Sequence, residues 1–305
     1  MSGKDLLRTL AVTGLLLVTA CSSADQPSDD TADPLRTGLT DEERKLLSEA
    51  EQRLITDCMR DKGFKYGLDP AGPRSDAPER RFGLDDVTWA RRHGYGLAEA
   101  ARSGDREGKA AAEQGPQARY LASLSPRRRA EFDRALNGTD RAAIVVPAPG
   151  RGQIFTSADG CQADARTELY GDLRQWTEAK AAVVNLEYVT FDDVVAQKPY
   201  TKAEADWRAC MKGRGLSYAS SSEAIGAVAK ENESRTAQKA WKREVTVAVA
   251  DAECNRAAGL ARTGSRLQRQ HVRDAAHHEF ARQTRYYTQA VTTALGRART
   301  VVGSA

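Results

Sequence analysis

Apolar positions along most of this 305-residue chain recur at three- and four-residue intervals, the period of a helix with one buried face. Leu47, Leu54 and Cys58 follow one another at spacings of seven and four, behind Thr40-Asp41-Glu42-Glu43, which reads as a Thr-x-x-Glu capping box. A helix is therefore expected to start at Thr40 and to carry Cys58 on its inner side. From 162 to about 189, Leu169, Leu173, Trp176, Val183 and Leu186 keep the helical period, and most of 223–300 does the same apart from an interruption at 259–265. Ser125 as N-cap, Pro126 at the first helical position, Phe132, Ala135 and Leu136 inside and Asn137-Gly138 as the stop predict a short, well-bounded helix. Asp85 or Asp86 is placed to cap another that carries Val87 and Trp89. AAIVVP at 142–147 is the best strand candidate. The pattern predicts a mainly α-helical fold of long helices with at most a small β-hairpin.

One phrase is written twice. Residues 57–66 read DCMRDKGFKY and residues 209–218 read ACMKGRGLSY, 152 positions apart. In the first copy Gly63 is placed as the left-handed residue that ends a helix, with Phe64 packing back on the last turn as in a Schellman motif. In the second, Gly215-Leu216 takes that place, Trp207 precedes Cys210 by three residues, and Thr201-Lys202-Ala203-Glu204 reads as a second capping box. Both copies thus predict a helix that delivers a cysteine near its C-terminus.

The N-terminus has its own pattern. Lys4 and Arg8 precede an apolar run from Leu10 to Val18, too short for a bilayer span of roughly 20 residues and suited to the core of an export signal. Val18-Thr19-Ala20-Cys21 resembles the lipobox of bacterial lipoproteins, which implies diacylation of the Cys21 sulfur after removal of residues 1–20. Residues 22–38, SSADQPSDDTADPLRTG, have almost nothing apolar to bury and are expected to form a disordered tether over 21–39. Its r.m.s. reach would be roughly 23 Å, enough to lift a folded body clear of lipid headgroups.

With Cys21 assigned to lipid, Cys58, Cys161, Cys210 and Cys254 remain, and an even number in an exported chain implies disulfides. Zinc is disfavoured: there is no Cys-x-x-Cys pair, and no histidine lies within a few residues of any of the four. Four cysteines permit three pairings. Each copy of the repeated phrase needs a partner downstream, so sequential pairing, Cys58 with Cys161 and Cys210 with Cys254, is the expected one. The flanks of Cys161 and Cys254 match each other weakly. Two disulfide-stapled helical units follow, 40–190 with a loop-rich insertion at 67–150, and 191–305.

Charge argues against one class of partner. Lys+Arg number 46 against 42 Asp+Glu, and without residues 1–20 the balance is 44 against 41, too even for a dedicated nucleic-acid binder. The distribution is less even, since residues 255–305 hold nine arginines against Asp274 and Glu279. Such a stretch can approach an anionic cell-wall polymer or headgroup. An arginine-laced solvated helix is the plainer reading.

Motifs that carry chemistry are absent from the sequence: there is no Gly-x-Ser-x-Gly, His-Glu-x-x-His or Walker Gly-x-x-x-x-Gly-Lys, and Gly94-Tyr95-Gly96 lacks the third glycine of a dinucleotide site. His271, Asp274 and His278 would share an arc of about 60° on a helix and could be proposed as a metal site. Val272, Ala276 and Phe280 occupy the other side, which leaves the trio solvated without a fourth ligand. Asp85-Asp86 and Asp192-Asp193 read as helix caps rather than a glycosidase pair, whose carboxylates must face across a cleft. The tryptophans and tyrosines, at helical spacings such as Trp176 to Val183, read as core rather than as a sugar platform. No catalytic residue, cofactor or metal is expected.

Taken together, the lipobox, CM-x-x-x-G-F-x-Y, FGLDDVTWARRHGYG at 82–96, ALNG at 135–138, GC-x-x-x-A-x-x-x-LYG, W-x-x-C-M and A-D-A-E-C resemble a family of uncharacterised actinobacterial lipoproteins. The resemblance implies surface lipoprotein status and no known activity. The expectation is a non-catalytic binding or accessory module, lipid-anchored through Cys21 on the extracytoplasmic face of the cell membrane. A cell-wall polymer or an envelope protein is the partner class. The alternative is a cell-envelope enzyme, hydrolytic or metal-dependent, with an unrecognised site.

Overall fold

Thr40 opens the first helix as a reciprocal cap: its hydroxyl accepts from the Glu43 amide at 3.2 Å, and the Glu43 carboxylate accepts from the Thr40 amide at 2.9 Å. The computed structural model describes residues 39–67, 78–103, 115–139 and 143–303. Cys21, the export signal and the tether up to residue 38 lie outside the described residues. The elements are α1 (Asp41–Asp61), α2 (Val87–His93), α3 (Leu97–Ser103), α4 (Pro116–Ser123), α5 (Pro126–Asn137), β1 (Ala143–Ala148), β2 (Gly152–Ser157), α6 (Cys161–Tyr170), α7 (Leu173–Val189), α8 (Phe191–Val195), α9 (Lys198–Gly213), α10 (Ser221–Asn232), α11 (Ala237–Ala258), α12 (Leu260–His277) and α13 (Ala281–Gly303). The fold is mainly α with one antiparallel hairpin, β1 pairing β2 from Ala143 opposite Ser157 to Ala148 opposite Gly152. Among the described residues no helix is long and apolar enough to cross a membrane.

Both copies of the repeated phrase end their helices alike. The Phe64 amide donates to the Met59 carbonyl at 2.9 Å and the Leu216 amide to the Met211 carbonyl at 3.0 Å, each reaching back over a glycine, Gly63 at φ +75° and Gly215 at φ +74°. These six-residue closures satisfy carbonyls that the helix end would otherwise orphan. They also turn Met59 and Met211 fully inward. The cysteines one position earlier bond sequentially: Cys58 to Cys161 and Cys210 to Cys254, with Cα atoms 5.6 Å apart in both. The downstream halves differ, because Cys161 is the first residue of α6 and Cys254 lies near the end of α11. Loops of 103 and 44 residues make each bond worth roughly 4–5 kcal/mol in the chain-entropy account.

Four sequence expectations are corrected. Helix α9 begins at Lys198 behind Gln197, a turn before the Thr201–Glu204 box, because Pro199 pre-sets the backbone of a first turn; the Thr201 hydroxyl instead donates to the Lys198 carbonyl at 3.1 Å. Asp192 and Asp193 lie in the first turn of α8, whose N-cap position is Thr190, so neither is the cap. Gly259, left-handed at φ +66°, is a one-residue joint between α11 and α12, so the helix resumes at Leu260 where 259–265 was expected to be irregular. The 162–189 helix is likewise split at Gly171-Asp172, with Asp172 capping α7 through the Gln175 amide at 2.8 Å. Of the two candidates Asp85 and Asp86 it is Asp86 that caps α2, and Ser125 and Gly138 sit where the sequence put them.

Packing does not follow the order of the disulfides. One core joins α1, β1, α6, α7 and α13 through Leu47, Ile144, Leu169, Trp176 and Val291. A second surrounds Cys254 and contains Trp207, Met211, Val247 and Leu267, but also Phe82, Leu84, Val87 and Tyr95 from the 67–150 insertion. The last helix, α13, packs mainly on α1 and α7. Segments thus cross the 190/191 boundary in both directions.

Candidate functional site

Helix α11 is mostly Ala and Val on its inner side, yet three polar side chains on it are fully buried: Glu244, Asp251 and Asn255. Spacings of seven and four set them on one stripe. Each is matched by donors or acceptors brought by other segments. The Glu244 carboxylate accepts from the Leu97 and Ala98 amides at 2.8 and 3.2 Å. Asp251 accepts from the Tyr95 hydroxyl at 3.0 Å, the Trp207 indole at 2.9 Å and the Ser221 hydroxyl at 2.6 Å. The Asn255 amide donates to the Phe82 carbonyl at 2.9 Å, and its oxygen accepts from the Ala261 amide at 2.8 Å. Loss of water raises the Asp251 carboxyl to about 6, although all three hydrogen bonds favour its ionised form. Burial and the neighbouring carboxylate push the Tyr95 phenol up as well. No solvent reaches these groups, so the stripe positions residues 82–98 and offers no surface to a substrate.

One open feature, of about 930 Å³, lies beside α3 and is lined by Leu97, Asn232 and Trp241. A smaller groove of about 440 Å³ lies between α1, α7 and α13. Its floor holds a three-ring stack centred on Trp176, with Tyr170 at 3.8 Å and Tyr287 at 5.1 Å between centroids, both nearly parallel to the indole. Trp176 and Tyr170 are buried, so the stack gives the groove a rigid apolar base and leaves no free indole face for a sugar. Val183 and Val184 on α7 continue the apolar wall, Val184 standing 59% exposed. Most polar groups of the groove are already engaged: Glu51 by Arg166 at 2.9 Å, Arg44 by Asp41 and the Leu39 carbonyl, and Glu187 by Arg81. Lys180 is different. Its ammonium reaches over the Trp176 ring at 5.8 Å, and although the residue is exposed, the surrounding walls remove enough water to lower its pKa, Glu51 opposing the shift. An apolar base with one cation at its side suits an amphipathic ligand that bears an acidic group.

The residues singled out from sequence do not come together here. The four cysteines are locked in the two disulfides. His271 and Asp274 lie within α12, and His278 is its C-cap residue, its amide bonded to the Asp274 carbonyl at 3.0 Å. Among the described residues no three His, Cys, Asp or Glu side chains are placed to hold a metal. Asp86 caps α2 by accepting from the Trp89 amide at 2.8 Å. Sequence reasoning missed both Lys180 and the α11 stripe. The stripe had a signal, three polar residues at helical spacing inside EVTVAVADAECN. Lys180 had none, since a lysine among alanines reads as solvated.

Comparison with known proteins returns nothing: no protein family, no curated protein and no solved structure matches this chain.

Proposed function

We propose that this chain is an exported lipoprotein, held by a diacylglycerol on Cys21 at the extracytoplasmic face of the cell membrane, and that it works as a non-catalytic binding or accessory module. The groove between α1, α7 and α13 is its ligand site. The observation that carries the reading is that this groove is open and rigid, with its acidic groups committed to arginines and Lys180 the cation left facing the ligand space. Paired carboxylates make poor proton shuttles, whereas a lone cation on an apolar floor suits recognition of an acidic amphiphile. Leu39, where the expected tether joins the folded body, lines the same groove, so a captured ligand would sit near the anchored end of the chain. The lipobox at 18–21, the disulfides and the resemblance to actinobacterial lipoproteins support the location.

The test has two arms. Cys21→Ala is expected to move the protein from the membrane fraction to the medium, or to leave it unprocessed; a variant that fractionates like wild type refutes the anchor. For the groove, dodecanoate and dodecyltrimethylammonium are titrated into the Cys21→Ala protein while tryptophan fluorescence is followed. The carboxylate is expected to bind and Lys180→Glu to abolish it. Equal response to both amphiphiles, or none to either, refutes the site.

A further inference from the structure

On α12 the arginines at 262, 266, 269 and 273 are spaced by four, three and four, so all four fall within about 60° of one another around the helix. Leu260, Gly264, Leu267, Gln268, Val272 and Ala276 fill the buried side of the same helix, so the arginine line runs down its solvent side. Arg262, Arg266 and Arg273 are exposed and Arg269 is half-buried. From first to last the line covers about 16 Å at 1.5 Å per residue. Among the described residues, the Arg262, Arg266 and Arg273 side chains make no ion pair or hydrogen bond. Asp274 is the single acid on α12, and Asp192 and Asp193 on the neighbouring α8 are exposed but pair with none of the three. Several arginines elsewhere are used within the fold, as with Arg243 on Glu231 and Arg297 on the Glu168 and Leu169 carbonyls.

We propose that this solvent side of α12 is a binding surface for a linear polyanion carrying phosphate groups. Neighbouring arginines about 6 Å apart along a helix can each meet a phosphate along an extended chain, and each guanidinium can take two phosphate oxygens at once. A flat anionic membrane fits less well. A helix that lies in a headgroup layer carries large apolar residues beside its cations, and among the described residues the large exposed apolar side chains, Phe155, Val184 and Tyr188, are on β2 and α7 instead. The inference stands apart from the groove and from the anchor, because it uses neither Lys180 nor Cys21.

The experiment uses the full chain carrying Cys21→Ala, so that no lipid competes, with fluorescently labelled long-chain inorganic polyphosphate as probe and anisotropy as readout. Saturable binding that weakens steeply with added salt is expected, since each neutralised phosphate releases a counterion. The triple variant R262Q/R266Q/R273Q is expected to bind about tenfold more weakly or worse and to show a shallower salt slope. Its melting temperature should stay at the parent value, because these side chains hold nothing in place. R127Q/R129Q/R134Q on α5 removes the same charge and is expected to cost less than about threefold. No saturable binding at low salt overturns the proposal, and so do equal losses in the two triple variants. Phosphatidylglycerol vesicles that bind more tightly than polyphosphate, with the gain lost in the α12 variant, would overturn it in favour of a membrane contact.

Discussion

The Tyr95 hydroxyl donates a 3.0 Å hydrogen bond to the Asp251 carboxylate, tying a loop residue to a helix residue 156 positions later. Burial lifts the Asp251 carboxyl from 3.8 to about 6, so the folded protein holds a proton there that the unfolded chain has already released. Between those values the native state binds more protons, and stability must therefore fall as pH rises. The penalty is fully present above about pH 6 and absent below about pH 4, and amounts to roughly 3 kcal/mol. Asp251→Asn removes the titration, and the Tyr95 and Ser221 hydroxyls can rotate to accept from the new amide. Urea unfolding from about pH 4.5 to 7.5 should show the wild type losing stability relative to the Asn variant across that window. Parallel curves would refute the assignment.

Glu244 tests the same stripe through its backbone partners. Its carboxylate receives two backbone amides at the start of α3. In Glu244→Gln one of those amides would face an amide NH₂ instead of an oxygen, a buried donor against a donor, at a cost of about 1–3 kcal/mol. Hydrogen exchange at Leu97 and Ala98 should accelerate more than exchange in α1. Uniform acceleration, or none, would show that Glu244 does not hold α3 in place.

Glycine positions separate close packing from helix propensity. Gly264 lies inside α12, where alanine usually stabilises a helix by about 1 kcal/mol. Here a β-carbon on Gly264 would lie 2.3 Å from the Phe82 ring, which is itself packed between Phe191 and Tyr200. Overpacking of this kind costs about 1–3 kcal/mol, so Gly264→Ala is expected to destabilise. Gly226 in α10 has nothing within 4 Å of the same position, and Gly226→Ala is expected to stabilise. Thermal melts of the two variants should move in opposite directions.

How much of this was legible from the chain depends on the range of each interaction. Caps and stops act over three to six residues, and Thr40, Asp86, Ser125, Gly63 and Gly215 were all readable from their neighbours. The α9 start was misread because two local start signals overlap, Pro199 and the Thr201 box, and only the backbone decides between them. Gly259 was overread for a related reason: a single left-handed residue can join two helices without a loop. Long-range matters stayed hidden. Nothing local tells that Phe82 and Tyr95, in a stretch read as an insertion, complete the core around Cys254. Nor can local pattern show that Trp176 ends between Tyr170 and Tyr287. The α12 arginines were counted in sequence, but their alignment on one free side needed the helix to resume at Leu260.

The repeated phrase is a device for placing cysteines, and its chemistry can be checked directly. In both copies a left-handed glycine lets the chain reverse and close on the methionine carbonyl, and Met59 and Met211 are then buried completely. Cys58 and Cys210, one residue earlier, are brought to the core boundary, each with its partner Cα 5.6 Å away and well inside the reach of a disulfide. Because the closure depends on φ near +75° at Gly63 and Gly215, alanine at either should cost about 1–2 kcal/mol of stability. The cost at Gly215 should be purely conformational, since a β-carbon there meets nothing within 4 Å, whereas at Gly63 it would also crowd the Arg128 guanidinium at 3.3 Å. That guanidinium donates to the Gly63 carbonyl at 2.9 Å and lies over the Phe64 ring at 3.9 Å, so Gly63→Ala is expected to be the more damaging of the two. Non-reducing peptide mapping of the intact protein should recover Cys58 with Cys161 and Cys210 with Cys254. A peptide joining Cys58 to Cys210, or equal melting temperatures for wild type and both alanine variants, would show that the two phrases do not work this way.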